Sequence, residues 1–119
     1  MRIHPLTRLV TDADSGRTFI EARIEFFDRD THTTKGCGQL RIDLYDLSGV
    51  TPLGPLATWE MDLSDPATNL ERYDDVTRTY LFTLDTESEE LPARPELRAY
   101  FLSEDGRTLK EDQLRLRTE

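Results

Sequence analysis

Hard carboxylate oxygens are the ligands calcium takes, and five aspartates of this chain, Asp28, Asp30, Asp74, Asp75 and Asp105, stand in segments that read as turns. They make one candidate metal set if their turns share an end of the fold and several oxygens approach one ion to within about 2.3–2.6 Å. Calcium is the only cofactor they nominate. The segment Asp12-Ala13-Asp14-Ser15-Gly16 also opens like a calcium loop, with carboxylates two apart and a glycine for the turn. Where a bidentate glutamate would close an EF-hand loop, however, the chain has Arg23, so that reading fails. A turn in which Asp and Ser bond their own backbone explains the same residues.

His32 and Cys37 are five apart and could supply two zinc or copper ligands, but a closed site needs four. The other histidine, His4, falls in the first strand, and there is no second cysteine. A nucleophilic Cys37 would need a base, which His32 offers, and an orienting group, which nothing nominates. Between Gly36 and Gly38, Cys37 reads instead as part of a bulge or hairpin end. A small hydrolase built on paired carboxylates leaves no linear signature and stands as an alternative. No phosphate loop, nucleophile elbow or His-Glu-x-x-His motif occurs, so the residues nominate no catalytic group. The densest acidic run, Asp85-Thr86-Glu87-Ser88-Glu89-Glu90, is a solvated loop or a docking patch for a basic partner.

Such residues must be positioned by something, and the chain's periodicity says by what. Ile20, Ala22, Ile24 and Phe26 alternate with Glu21, Arg23 and Glu25, which is the pattern of a half-buried strand. The same period returns in Leu40, Ile42, Leu44; Trp59, Met61, Leu63; Tyr80, Phe82, Leu84; Leu97, Ala99, Phe101; and Leu114, Leu116. Seven strands are expected, at about 2–10, 18–28, 38–46, 56–63, 76–84, 96–102 and 108–117. Pro5 cannot donate to a ladder, so the first is an edge strand or a kinked one. Ser64 or Asp65 as cap, Pro66 at the first helical position and the Leu70/Tyr73 spacing predict one helical turn near 65–73. Asp105-Gly106 predicts direct pairing of the last two strands. Several runs also satisfy a helical spacing, but their shortness, their aromatics and the glycines and prolines between them favour strands.

Seven short strands imply two packed antiparallel sheets, an immunoglobulin-like sandwich formed by one domain over 1–119. Alternating strand direction then gathers the turns after the second, fourth and sixth strands at one end, which is where Asp28, Asp30, Asp74, Asp75 and Asp105 would meet. Asp12 and Asp14 lie at the other, a strand length of about 30 Å away. Trp59 falls on an inward face, whereas Phe27 and Tyr100 fall outward, as members of an interface if exposed.

Charged residues make up 33% of the chain and apolar ones 36%, so the apolar set must concentrate on inward faces. The net charge of −9, from 24 acids against 15 bases, repels phosphate backbones and anionic lipid, which removes nucleic acid as a partner. With one cysteine there is no internal disulfide. No stretch approaches the roughly 18 apolar residues of a membrane span, so direct insertion is not expected.

The segment Ile24-Glu-Phe-Phe-Asp-Arg-Asp30 with Lys35-Gly-Cys-Gly-Gln-Leu-Arg-Ile-Asp-Leu-Tyr-Asp46, and Asp105-Gly-Arg-Thr-Leu109, resembles the immunoglobulin-like or fibronectin-type domains of bacterial envelope proteins and lipoproteins. The resemblance covers about a third of the chain, and the Cys-Trp-Cys framework of antibody domains is missing. It implies a non-catalytic module for protein interaction or structural spacing, in a periplasmic, cell-surface or otherwise exported setting. It carries over no functional residues.

Overall fold

The computed structural model describes residues 1–48, 54–86 and 92–117. Its strands are β1 (Arg2–Ile3), β2 (Arg8–Thr11), β3 (Thr18–Phe27), β4 (Thr33–Thr34), β5 (Gly38–Asp46), β6 (Ala57–Asp62), β7 (Tyr73–Asp74), β8 (Thr79–Asp85), β9 (Pro95–Ser103) and β10 (Leu109–Arg115), with one helix, α1 (Pro66–Arg72). The chain is all-β, as its alternation requires. Each of the seven expected strands has a counterpart, and the excess comes from two-residue pieces. No helix among the described residues is long and apolar enough to cross a membrane.

Every pairing is antiparallel. One sheet runs β1-β3-β8-β7, with β2 and β4 also paired to β3, and the other runs β10-β9-β5-β6. One apolar cluster draws on both: Ile20, Ala22, Ile24 and Phe26 of β3 and Tyr80, Phe82 and Leu84 of β8, with Leu40, Ile42 and Leu44 of β5 and Leu97, Ala99 and Phe101 of β9. These are the residues of the two-residue period, and their burial supplies the main driving force for folding.

Pro5 splits the first strand. Ile3 pairs with Ile24 and Arg8 with Glu21, so five steps along the edge match three along β3, and the surplus bulges out around the proline. The short β1 is nonetheless tied down. The Arg2 guanidinium meets the buried Glu25 carboxylate at 2.7 Å, and the Ile3 amide donates to Asp112 Oδ2 of β10 at 2.8 Å, linking the two sheets.

One local expectation needs correcting, and two local features go beyond what the periodicity predicts. The strand expected from residue 76 begins at Thr79, because Asp74 accepts from the Val76 amide and closes a turn that leaves Arg78 in the left-handed region at φ 56°. Thr33–Thr34 pairs with the end of β3 although nothing in its sequence alternates. The expected helical turn forms as α1 with Pro66 at its start, although Leu70 is 71% exposed and Tyr73 already opens β7. Asn69 turns inward instead, donating to the carbonyls of Gly36 at 2.6 Å and Leu63 at 2.7 Å; the first is also reached by the Tyr80 hydroxyl at 3.2 Å.

The hairpin between β9 and β10 forms as expected, with Gly106 at φ 73° and Asp105 Oδ1 accepting from the Arg107 amide. Main-chain bonds from Glu104 to Cys37 and from Leu63 to Gly38 hold the turns after β9 and β6 and the segment before β5 at one end. Leu47 bonding Arg94 and Asp12 bonding Arg17 belong to the other.

Candidate functional site

The aspartates singled out as a metal set lie in turns at the same end, but Asp28, Asp74 and Asp105 each serve their own turn. Asp28 Oδ1 accepts from the amides of Asp30 and His32 at 2.9 and 3.0 Å. Asp74 accepts from Val76 and lies 3.7 Å from Arg23, while Asp105 accepts from the Ser103 hydroxyl and the Arg107 amide. The N–H of Val76 holds Asp74, and the hydroxyl of Ser103 holds Asp105, below the ordinary carboxylate range. Asp75 is exposed within the Asp74 turn. Among the described residues no three His, Cys, Asp or Glu side chains are placed to hold a metal ion. Asp12 likewise bonds the Asp14 amide and Ser15 hydroxyl of its own turn.

Cys37 is exposed and pairs with Glu104 rather than His32, its Sγ donating to Oε2 at 3.0 Å. That hydrogen bond and the negative charge behind it push the thiol's pKa up, away from the thiolate a nucleophile needs. The glycines beside it are there for space: a Cβ on Gly38 would lie 2.2 Å from the Leu102 carbonyl oxygen. Trp59 is half-buried and donates from Nε1 to the Asp85 carbonyl at 3.2 Å, bridging β6 to β8. Of the acidic run, 87–90 lie outside the described residues.

Another grouping of interacting charged and aromatic side chains lies on the outward face of the four-stranded sheet. Register sets Glu60, Arg41, Tyr100 and Glu111 in one row across β6, β5, β9 and β10, with Thr58, Asp43, Arg98 and Gln113 in the next. The Arg41 guanidinium lies over the Tyr100 ring at 4.6 Å, and that of Arg98 lies over Tyr45 at 4.2 Å. Beneath them Asp43 and Glu96 are only 3% and 5% exposed. Asp43 accepts from the Thr58 hydroxyl at 2.9 Å and sits 3.4 Å from Arg41, and Glu96 meets Arg98 at 2.6 Å. Burial, with Tyr100 and Asp43 nearby, pushes the Tyr45 hydroxyl above the usual phenol value.

These contacts hold the long side chains of Arg41 and Arg98 in place within the chain itself. Two open hollows flank Tyr100. One, of about 490 Å³, is lined by Arg41, Glu60, Leu102 and Leu109; the other, of about 420 Å³, by Arg98, Glu111, Asp112 and Gln113. Leu102 and Leu109 are cross-strand partners exposed by 43% and 72%, giving the face an apolar end.

Sequence reasoning placed Tyr100 outward but missed its neighbours. The signal was present, since Arg41, Asp43 and Tyr45 and Glu96, Arg98 and Tyr100 alternate with the core residues of the two central strands. Phe27, the other outward aromatic, carries Arg2 over its ring at 5.8 Å. No family model, no curated protein and no solved structure matches the chain.

Proposed function

We propose that this chain is a non-catalytic module that binds a protein partner through the outward face of its four-stranded sheet. One observation carries the reading: two preorganised arginine–tyrosine stacks next to the exposed Leu102–Leu109 pair. Arginine and tyrosine are enriched where interfaces concentrate their energy, and a preset polar centre beside an apolar end suits a partner of mixed surface.

An immunoglobulin-like or fibronectin-type sandwich is part of the proposal. Counting β1 and β2 as one strand and omitting the two-residue β4 and β7, the first, second and fifth strands form one sheet, and the seventh, sixth, third and fourth form the other. That order supports the reading, although the fourth strand sits beside the third rather than with the first group, as it would in an antibody constant domain. The envelope setting rests on the sequence resemblance alone.

A photoreactive side chain at position 109 tests the binding reading. In extract of the source cell it is expected to crosslink one protein, and excess unlabelled chain should suppress the crosslink while the Arg41→Glu, Leu102→Ser variant should not. Equal labelling from Thr83, on the outward face of the other sheet, would contradict it.

A further inference from the structure

We propose that β6 is a receptor edge that takes up an extended partner segment in which basic and apolar residues alternate, adding a strand to the four-stranded sheet. The inference rests on the binding reading above and names the partner's chemistry.

The ladder shows which backbone groups are on offer. The Leu63 amide donates to the Gly38 carbonyl, so the pairs that exchange hydrogen bonds along this register are 38/63, 40/61 and 42/59. Thr58, Glu60 and Asp62 therefore aim their N–H and C=O groups away from β5, and no strand among the described residues pairs with that side. Six residues offer about 20 Å of edge.

The two edges of this sheet differ in kind. On β10 the inward side chains opposite Phe101 and Ala99 are Lys110 and Asp112, and Asp112 is engaged by the Ile3 amide. Inward charges blunt an edge against pairing. On β6 the inward side chains are Ala57, Trp59 and Met61, all half-buried against the core. An incoming strand would extend that apolar surface with its own alternate residues.

The outward side chains select the sign of the guest. Glu60 and Asp62 would stand directly opposite the guest's other residues, where like charges destabilise and opposite charges stabilise. A second copy of this chain, at a net charge of −9, is disfavoured there, and a basic strand is favoured.

The test uses the full chain labelled with ¹⁵N and an acetylated, amidated heptapeptide alternating Lys and Val. A peptide of the same composition in two blocks is the control. The alternating peptide should slow amide exchange at Thr58, Glu60 and Asp62, and the block peptide should not. Glu60→Lys with Asp62→Lys should weaken the alternating Lys/Val peptide by roughly tenfold or more and admit an alternating Glu/Val peptide. Glu60→Pro, which removes one outward N–H at an edge position that tolerates proline, should also weaken binding. Equal binding of both lysine peptides without protection at β6 would overturn the edge proposal. Shifts confined to Arg41, Tyr100 and Leu102 would also overturn it while leaving the binding face intact; failure of the position-109 crosslink would remove both.

Discussion

The hydroxyl of Tyr80 donates to Oδ1 of Asn69 at 2.8 Å, joining a fully buried core ring to the helix that covers it. The same hydroxyl accepts from the Gly36 amide at 3.1 Å, and the Asn69 amide group takes the Gly36 and Leu63 carbonyls. Removing Asn69 takes the side-chain donor from the Leu63 carbonyl and the nearer acceptor from the Tyr80 hydroxyl, which keeps the Gly36 carbonyl at 3.2 Å. Asn69→Leu should destabilise by about 2–3 kcal/mol and Tyr80→Phe by about 1–2 kcal/mol. Urea unfolding of the double variant should show less than the sum, because the two share a bond.

Gly38 passes so close to β9 that a methyl group has no room: its Cβ would sit 2.2 Å from the Leu102 carbonyl oxygen and 2.9 Å from the Phe101 ring. Gly38→Ala should cost about 3 kcal/mol or more in urea unfolding, since backbone must move to admit it. Gly16→Ala, with open space around its Cβ position, should cost less despite its φ of 71°.

Much of this architecture is legible from periodicity. β3, β5 and β9 announce themselves because one buried face imposes a period of two, and Pro5 announces the split edge because it lacks a donor. Asn69 is not legible in that way. Its inward position answers two carbonyls, one of them 33 residues away, and leaves no local pattern. The arginine–tyrosine face is half legible: the outward residues of each strand can be read off, but the meeting of Arg41 with Tyr100 depends on β5–β9 register. Topology brings the turns of the five aspartates to one end, which is what makes them a candidate set in the sequence. Being at one end is a weaker condition than converging, and the carboxylates of Asp28, Asp74 and Asp105 find nearer donors within their own turns.

Those turns make stability acid-sensitive. Asp12, Asp46, Asp62, Asp74 and Asp105 all have lowered pKa values in the folded chain, through hydrogen bonds chiefly from the Asp14 amide, the Ser48 amide, the Ser64 hydroxyl, the Val76 amide and the Ser103 hydroxyl. Between the lowered folded values and the ordinary unfolded value, the unfolded chain binds more protons. The contribution is therefore complete above the usual carboxylate range and is lost as pH falls through the folded values. Thermal midpoints should hold near pH 6 and drop below about pH 4. Asp74→Asn should soften that drop, and an unchanged slope would show that Asp74 contributes none of it.

Cys37 should alkylate slowly for an exposed thiol. Glu104 raises its pKa first through their hydrogen bond, so at pH 8 less of it is thiolate. Glu104→Gln should speed iodoacetamide labelling severalfold and move the rate–pH profile down. Equal profiles would mean that the 3.0 Å contact does not govern reactivity.

The proposed binding face has internal reporters, because two of the four tyrosines, Tyr45 and Tyr100, carry its arginine stacks, while Tyr73 and Tyr80 pack against each other with ring centres 5.0 Å apart on the other sheet. ¹⁹F NMR of fluorotyrosine-labelled chain, titrated with the protein recovered by the position-109 crosslink, is the most direct measurement. The predicted result is a shift or broadening of the Tyr45 and Tyr100 signals with Tyr73 and Tyr80 unmoved; movement of Tyr73 and Tyr80 alone, or of none of the four, would contradict the account.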